Sequence, residues 1–153
     1  MAMGDVRATR LSRGVDAWLE LLKSLVADVK AWAEAAGWET RLTGRDVNEK
    51  GFVRYEVPVL VLDRDGAEVS LVPVARKVLG ADGLVDFYLM PDFDDVASLY
   101  REEGQWFFHY AFHPDPMETD SVIETERFPL DEASLNHVLN DIAAHAQALQ
   151  RPV

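Results

Sequence analysis

Cysteine is absent from this chain of 153 residues. That excludes disulfides, thiolate zinc sites, iron–sulfur clusters and cysteine nucleophiles, and it suits a reducing compartment without requiring one. Long apolar runs are absent too. None approaches the ~18–20 residues that span a bilayer, and the N-terminus lacks the apolar stretch of a secretory signal, so a cytoplasmic protein that does not enter membranes is expected. No phosphate loop ending in Gly-Lys-Ser/Thr, dinucleotide glycine pattern, Gly-x-Ser-x-Gly elbow or His-Glu-x-x-His is present. Gly83 and Asp86 imitate the start of a nuclease Gly-x-x-Asp, but no Glu-x-Lys follows. Internal repeats and low-complexity segments are also missing.

Basic residues are scarce, with 15 Lys and Arg against 27 Asp and Glu for a formal net charge of −12. The balance is uneven. Residues 1–54 carry nine Lys/Arg and eight Asp/Glu, net +1, whereas residues 55–153 carry six and nineteen, net −13. Such a surface repels nucleic-acid phosphates and anionic membranes and steers a basic protein toward itself.

What is present is an organised centre between Phe52 and Phe112. From Val53 to Val61 the odd positions are apolar, the period of a strand with one buried face. Pro58 donates no ladder hydrogen bond, so this strand belongs at an edge or has that nitrogen on an unpaired side. Asp63-Arg64-Asp65-Gly66 favours a tight hairpin turn, leading to a strand over Glu68–Ala75, where Pro73 suggests a bulge or edge. A second Asp-Gly, Asp82-Gly83, reverses the chain into Leu84–Met90, with Val85, Phe87 and Leu89 on one face and Asp86 and Tyr88 on the other. Gln105–His113 reads as a further strand with Trp106, Phe108, Tyr110 and Phe112 on one side, core by default. Val96–Glu103 suits either two helical turns capped by Asp94 or a strand entering a hairpin at Glu103-Gly104; the strand is preferred. Were it helical, the element order would be similar to that of type III secretion chaperones.

Residues 1–13 read as a flexible tail and 14–150 as a single domain. Val15, Trp18, Leu19, Leu22, Leu25, Val26, Val29, Trp32 and Ala36 recur at threes and fours, predicting a helix closed by Gly37. Trp38–Thr43 alternates as a half-exposed strand, and Gly44–Gly51 reads as a polar loop. At the other end Asp131 is a natural N-cap, Leu130 can staple onto Leu135, and Leu135, Val138, Leu139, Ile142, Ala146 and Leu149 form the stripe of a last helix. The predicted fold is α+β: a mostly antiparallel sheet of five to seven strands, with both helices on one face.

The candidate chemistry is sparse. His137, Asp141 and His145 fall in one row on the last helix, but the row spans about 12 Å, too far for one ion. His109 and His113, about 13 Å apart along a strand, cannot share a metal, although either could transfer a proton. The acids of Pro91-Asp92-Phe93-Asp94-Asp95 fail the calcium-loop template, which meets Val96 and Ala97 where it needs a ligand and a glycine. No cofactor and no metal site follows. Asp115, Glu118, Asp120, Glu124 and Glu126, in a segment whose only cation is Arg127, are the expected surface for a basic protein partner. Tyr88, Phe107 and His109 would border a ligand pocket on the sheet face the helices leave free. Two functions fit: a non-catalytic acidic protein-binding module of immunity, chaperone or adaptor type, with a homodimer compatible, or a small-ligand binder or enzyme using an aromatic-lined pocket and a histidine.

Overall fold

The computed structural model describes the backbone of residues 3–49, 53–109 and 127–150, and the side chains of 13–49, 53–109 and 127–149. Helix α1 (Met3–Ala35) precedes seven strands, β1 (Glu39–Glu49), β2 (Val53–Arg64), β3 (Ala67–Ala75), β4 (Leu84–Leu89), β5 (Asp94–Glu102), β6 (Gln105–His109) and β7 (Phe128–Pro129), and helix α2 (Glu132–Gln150) ends the fold. The strands form one antiparallel sheet in sequence order, each paired with the next. This is the α+β arrangement the sequence predicts. Residues 96–102 belong to β5, so the element order of a type III secretion chaperone does not arise.

Local chemistry explains most of the joints. Asp65 and Gly66 both take positive φ between β2 and β3, as do Glu103 and Gly104 between β5 and β6, the requirement of a two-residue hairpin turn. Gly37, at φ 91°, ends α1 in a left-handed cap: the Trp38 N–H reaches the Ala33 carbonyl and the Gly37 N–H that of Glu34, both at 3.0 Å. Asp131 Oδ1 accepts the Ser134 N–H at 2.7 Å and Ser134 Oγ accepts the Asp131 N–H at 2.8 Å, a reciprocal cap on α2.

Both helices pack on one sheet face. Trp18, Leu22, Leu25, Val29 and Ala33 of α1 and Leu135, Val138, Leu139 and Ile142 of α2 share a core with Leu60, Leu62, Val69, Leu71, Phe87, Leu89, Leu99 and Phe108. Burying that much apolar area, at roughly 25 cal/mol per Å2, is what holds the two layers together. Phe87 and Phe108 stack at 5.8 Å within it, and Phe128 joins Phe108 at 5.4 Å. Arg64 ties the layers at the side: its guanidinium lies 4.5 Å over Trp38 and donates to the Ala36 carbonyl and to Asn140 Oδ1.

Several expectations need correction. β1 runs to Glu49 rather than giving way to a loop at Gly44, because β2 pairs with it along its full length. Helix α1 begins at Met3, well ahead of its apolar period. On β2 the residues that enter the helix-side core near the hairpin are Leu60 and Leu62, out of phase with the odd valines. Pro58, by contrast, lies where pairing with β3 has stopped, in keeping with the unpaired side expected for it. Gly83 is no turn glycine. It has no positive φ, and β3 and β4 are joined by a longer loop closed by a Val78–Ala81 bridge. Leu149 stays 52% exposed rather than joining the stripe.

Candidate functional site

The sheet face turned away from the helices carries a hollow and, beside it, a cluster of polar side chains. Alternation sends Val59 and Val61 of β2, Ser70 and Val72 of β3 and Tyr88 of β4 to this side, since their neighbours Leu60, Leu62, Leu71 and Phe87 all enter the core. With Thr43, Arg45, Met90 and Phe93 they line an open hollow of about 600 Å3. Its floor is buried valine with Ser70 among them, Thr43 and Tyr88 bring hydroxyls to its edge, and Arg45 supplies its charge. Phe93 stands on the rim, 63% exposed, with its ring 6.2 Å from that of Tyr88.

Beside the hollow a polar cluster joins β4 to β5. Asp86 is only 5% exposed. Its Oδ1 accepts the Ser98 hydroxyl at 2.7 Å and its Oδ2 the Tyr88 hydroxyl at 3.1 Å, so this buried carboxylate is held by donors, as burial requires. Asp95 adds a third interaction, a hydrogen bond from its own carboxyl. Asp95 and Ser98 are three apart and in a regular strand would face opposite sides. The register between β4 and β5 shifts at Phe87/Tyr88, pairing Tyr88 with Asp95 and Asp86 with Ser98. The bulge spends Val96 and Ala97 together on the core side and turns both polar residues toward Asp86.

The electrostatics follow from this crowding. Partial withdrawal from water, then the neighbouring Asp86 charge and their hydrogen bond, push the Asp95 carboxyl up to about 6. Tyr88 rises to about 12, through burial first and then Asp86, with Arg45 opposing. The Asp86 charge disfavours ionisation of Asp95 because like charges repel at short range. A carboxyl that titrates near neutrality can give or take a proton in an adjoining site.

Of the sequence-predicted pocket, Tyr88 lines the hollow, whereas Phe107 and His109 stand further along the same face on β6. Phe107 lies 4.0 Å beneath the Arg127 guanidinium, and His109 is exposed with its ring 6.3 Å from that of Tyr100. His113 and the acids Asp115, Glu118, Asp120, Glu124 and Glu126 lie outside the described residues. Arg127, the cation of that segment, pairs with Glu102 of β5. His137 and Asp141 approach to 3.4 Å on α2. Among the described residues no group of three or more His, Asp or Glu could hold a metal ion. Arg76 is committed to Glu49, which also accepts the Tyr55 hydroxyl at 2.9 Å; that cluster ties the β1–β2 ribbon to the end of β3, and burial with the Glu49 contact pushes Tyr55 up to about 12. Among the described residues no helix is long and apolar enough to cross a membrane.

Sequence reasoning missed Arg45, Asp86, Asp95 and Ser98 as a group. The one available signal was adjacent Val96 and Ala97 followed by Leu99, an apolar spacing that breaks a period of two. No protein-family model matches the chain, and neither the curated proteins nor the solved structures contain a significant match to it.

Proposed function

We propose that the protein is a non-catalytic protein-binding module and that the free sheet face is its docking surface. The observation that carries this reading is the open hollow itself: buried valines under an exposed Phe93, on a face that no other layer of the described residues covers. Phe93 is the large apolar side chain left exposed beside that floor, and it is the anchor a partner would bury. An open depression of this size suits a side chain or two of a partner better than an enclosed small molecule, which closed pockets surround on most sides.

The partner's chemistry is read from charge. Asp92, Asp94 and Asp95 are all exposed around Phe93, and the chain beyond residue 54 is strongly acidic. A basic protein would set an apolar side chain in the hollow and lysines or arginines against these acids. A second copy of the chain, equally acidic, is a less favoured occupant. Such a module would work in the cytoplasm, in keeping with a chain free of cysteine.

Small-ligand binding is the second reading. It is favoured by Arg45 and the rim hydroxyls, which could orient an anionic head group above the valine floor. The two are separated by photo-crosslinking from position 93, with Glu20 on the exposed side of α1 as the control position. The account expects a protein adduct from position 93 alone, and Phe93→Ala should weaken binding of that purified protein about tenfold, the loss of a buried aromatic anchor. Equal adducts from both positions, or unchanged affinity in Phe93→Ala, would overturn the protein-binding reading.

A further inference from the structure

The sheet has two edges, and they are built differently. At one end β7 contributes two residues, one of them Pro129, a short, proline-bearing edge of the kind that discourages further pairing. At the other, β1 runs for 11 residues from Glu39 to Glu49, and among the described residues no strand lies on its outer side. It pairs with β2 in unbroken register and contains neither proline nor lysine. The backbone N–H and C=O groups along its outer side therefore form a regular template for another strand.

The side chains of β1 say which strand fits. Residues 41–46 are all exposed, and the charges along β1 alternate in sign. When a strand pairs antiparallel with its own copy about a two-fold axis normal to the sheet, one residue meets itself and the others meet in reciprocal pairs. With Leu42 on the axis, Glu39 stands opposite Arg45 twice, Thr40 opposite Gly44 and Arg41 opposite Thr43, and Leu42, itself 59% exposed, meets its counterpart. Opposite charges and apolar pairs directly across a ladder stabilise it, whereas like charges oppose it. Other centres do worse. Arg41 or Arg45 on the axis would meet itself, Thr43 there would set Arg41 against Arg45, and Gly44 would set Glu39 against Glu49. A centre at Val47 needs Glu49, which Arg76 and Tyr55 already hold.

We propose that the chain forms a two-fold dimer through β1, with Leu42 on the axis, so that the two sheets run on as one. The surplus acids that set two copies repelling belong to residues 55–153, whereas residues 1–54 carry a net charge of +1. Leu42 pairs with Leu60 of the core, which puts the Leu42 contact on the helix side of the joined sheet. By alternation Glu39 falls on the opposite face with Thr43 and Arg45, two residues that line the hollow. Each chain's Glu39 thus reaches the edge of the other's hollow and offsets Arg45 there. The dimer belongs to the free chain and is measured with no docking partner present, so it and the proposed function fail separately.

The test exploits the absence of cysteine. Leu42→Cys places a lone thiol on the axis, where directly opposed strand positions stand about 4.5–5.5 Å apart between Cα atoms, within the reach of a disulfide. Mild oxidation of the full chain should join it to its copy there, and Leu79→Cys, on the exposed loop between β3 and β4, should form covalent dimer far more slowly. Sedimentation velocity on the unmodified chain should show a dimer at micromolar concentration. Glu39→Arg and Arg45→Glu should each weaken that dimer about tenfold by replacing two opposite-charge pairs with like ones, and the double exchange should restore it. A monomer throughout the micromolar range overturns the dimer, and a dimer that neither single exchange weakens overturns its interface. Equal rates of covalent dimer from positions 42 and 79 do the same. The unmodified chain is read first, so no variant's failure to fold can mask the answer.

Discussion

Gly83 shows how packing, rather than backbone freedom, can dictate a residue. A Cβ there would stand 2.6 Å from Trp18 Cζ3 and 3.4 Å from Trp106 Cη2, in a spot where the two indoles approach to 6.2 Å. Gly83→Ala should therefore destabilise the fold by about 1–3 kcal/mol, the usual cost of overpacking, read from a urea midpoint; an unchanged midpoint would mean the rings shift freely. Asp95 makes the matching prediction in pH. Its folded-state value, raised to about 6, means the native chain holds a proton that the unfolded chain releases near 4. Its stabilisation is then complete below about pH 4 and is lost as pH rises through 6. Relative to Asp95→Asn, the unmodified protein should lose stability across that window and run parallel above it, as urea midpoints at several pH values would show. From the sequence, Asp95 is one acid among three in a turn, and nothing local distinguishes it. Its role arises from Asp86, which the strand pattern identifies only as the polar face of β4.

At the scale of elements, the parts that were legible are those whose signals are local. Leu130, Asp131 and Leu135 announce α2 before any tertiary contact is known, and the turn glycines Gly66 and Gly104 fix two hairpins. Replacing Asp131 with Ala should cost about 1 kcal/mol of stability through loss of the cap, with Ser134→Ala giving a similar loss because the two residues serve each other; thermal or urea unfolding of both variants checks this. The second half of β1 was illegible for the opposite reason. Gly44, Arg45, Asp46 and Asn48 have loop character, and they form a strand because β2 offers a partner through Val53. The bulge was illegible too. A one-residue slip in β5 follows from how Val96 and Ala97 both fit beneath the sheet, and it moves Asp95 to the other face. The hollow inherits both illegible features, since Arg45 comes from the second half of β1 and Phe93 from the turn ahead of the bulge.

For the molecule as a whole, two helices cover one side of a seven-stranded meander, and the other side carries the valine-floored hollow with Arg45 at its edge and the acids Asp92, Asp94 and Asp95 next to Phe93. The net charge makes association with a basic partner depend on salt, because exposed charges are screened beyond about 8 Å at physiological ionic strength. Affinity should therefore fall as salt rises, while the apolar contact at Phe93 persists. The most direct measurement of the central claim is an amide chemical-shift footprint of the protein bound to a partner isolated by retention on the immobilised, full-length chain. The perturbed amides are expected to cluster at Thr43, Arg45, Val61, Val72, Tyr88 and Phe93. A footprint confined to the exposed faces of α1 and α2, with those six residues unmoved, would contradict it.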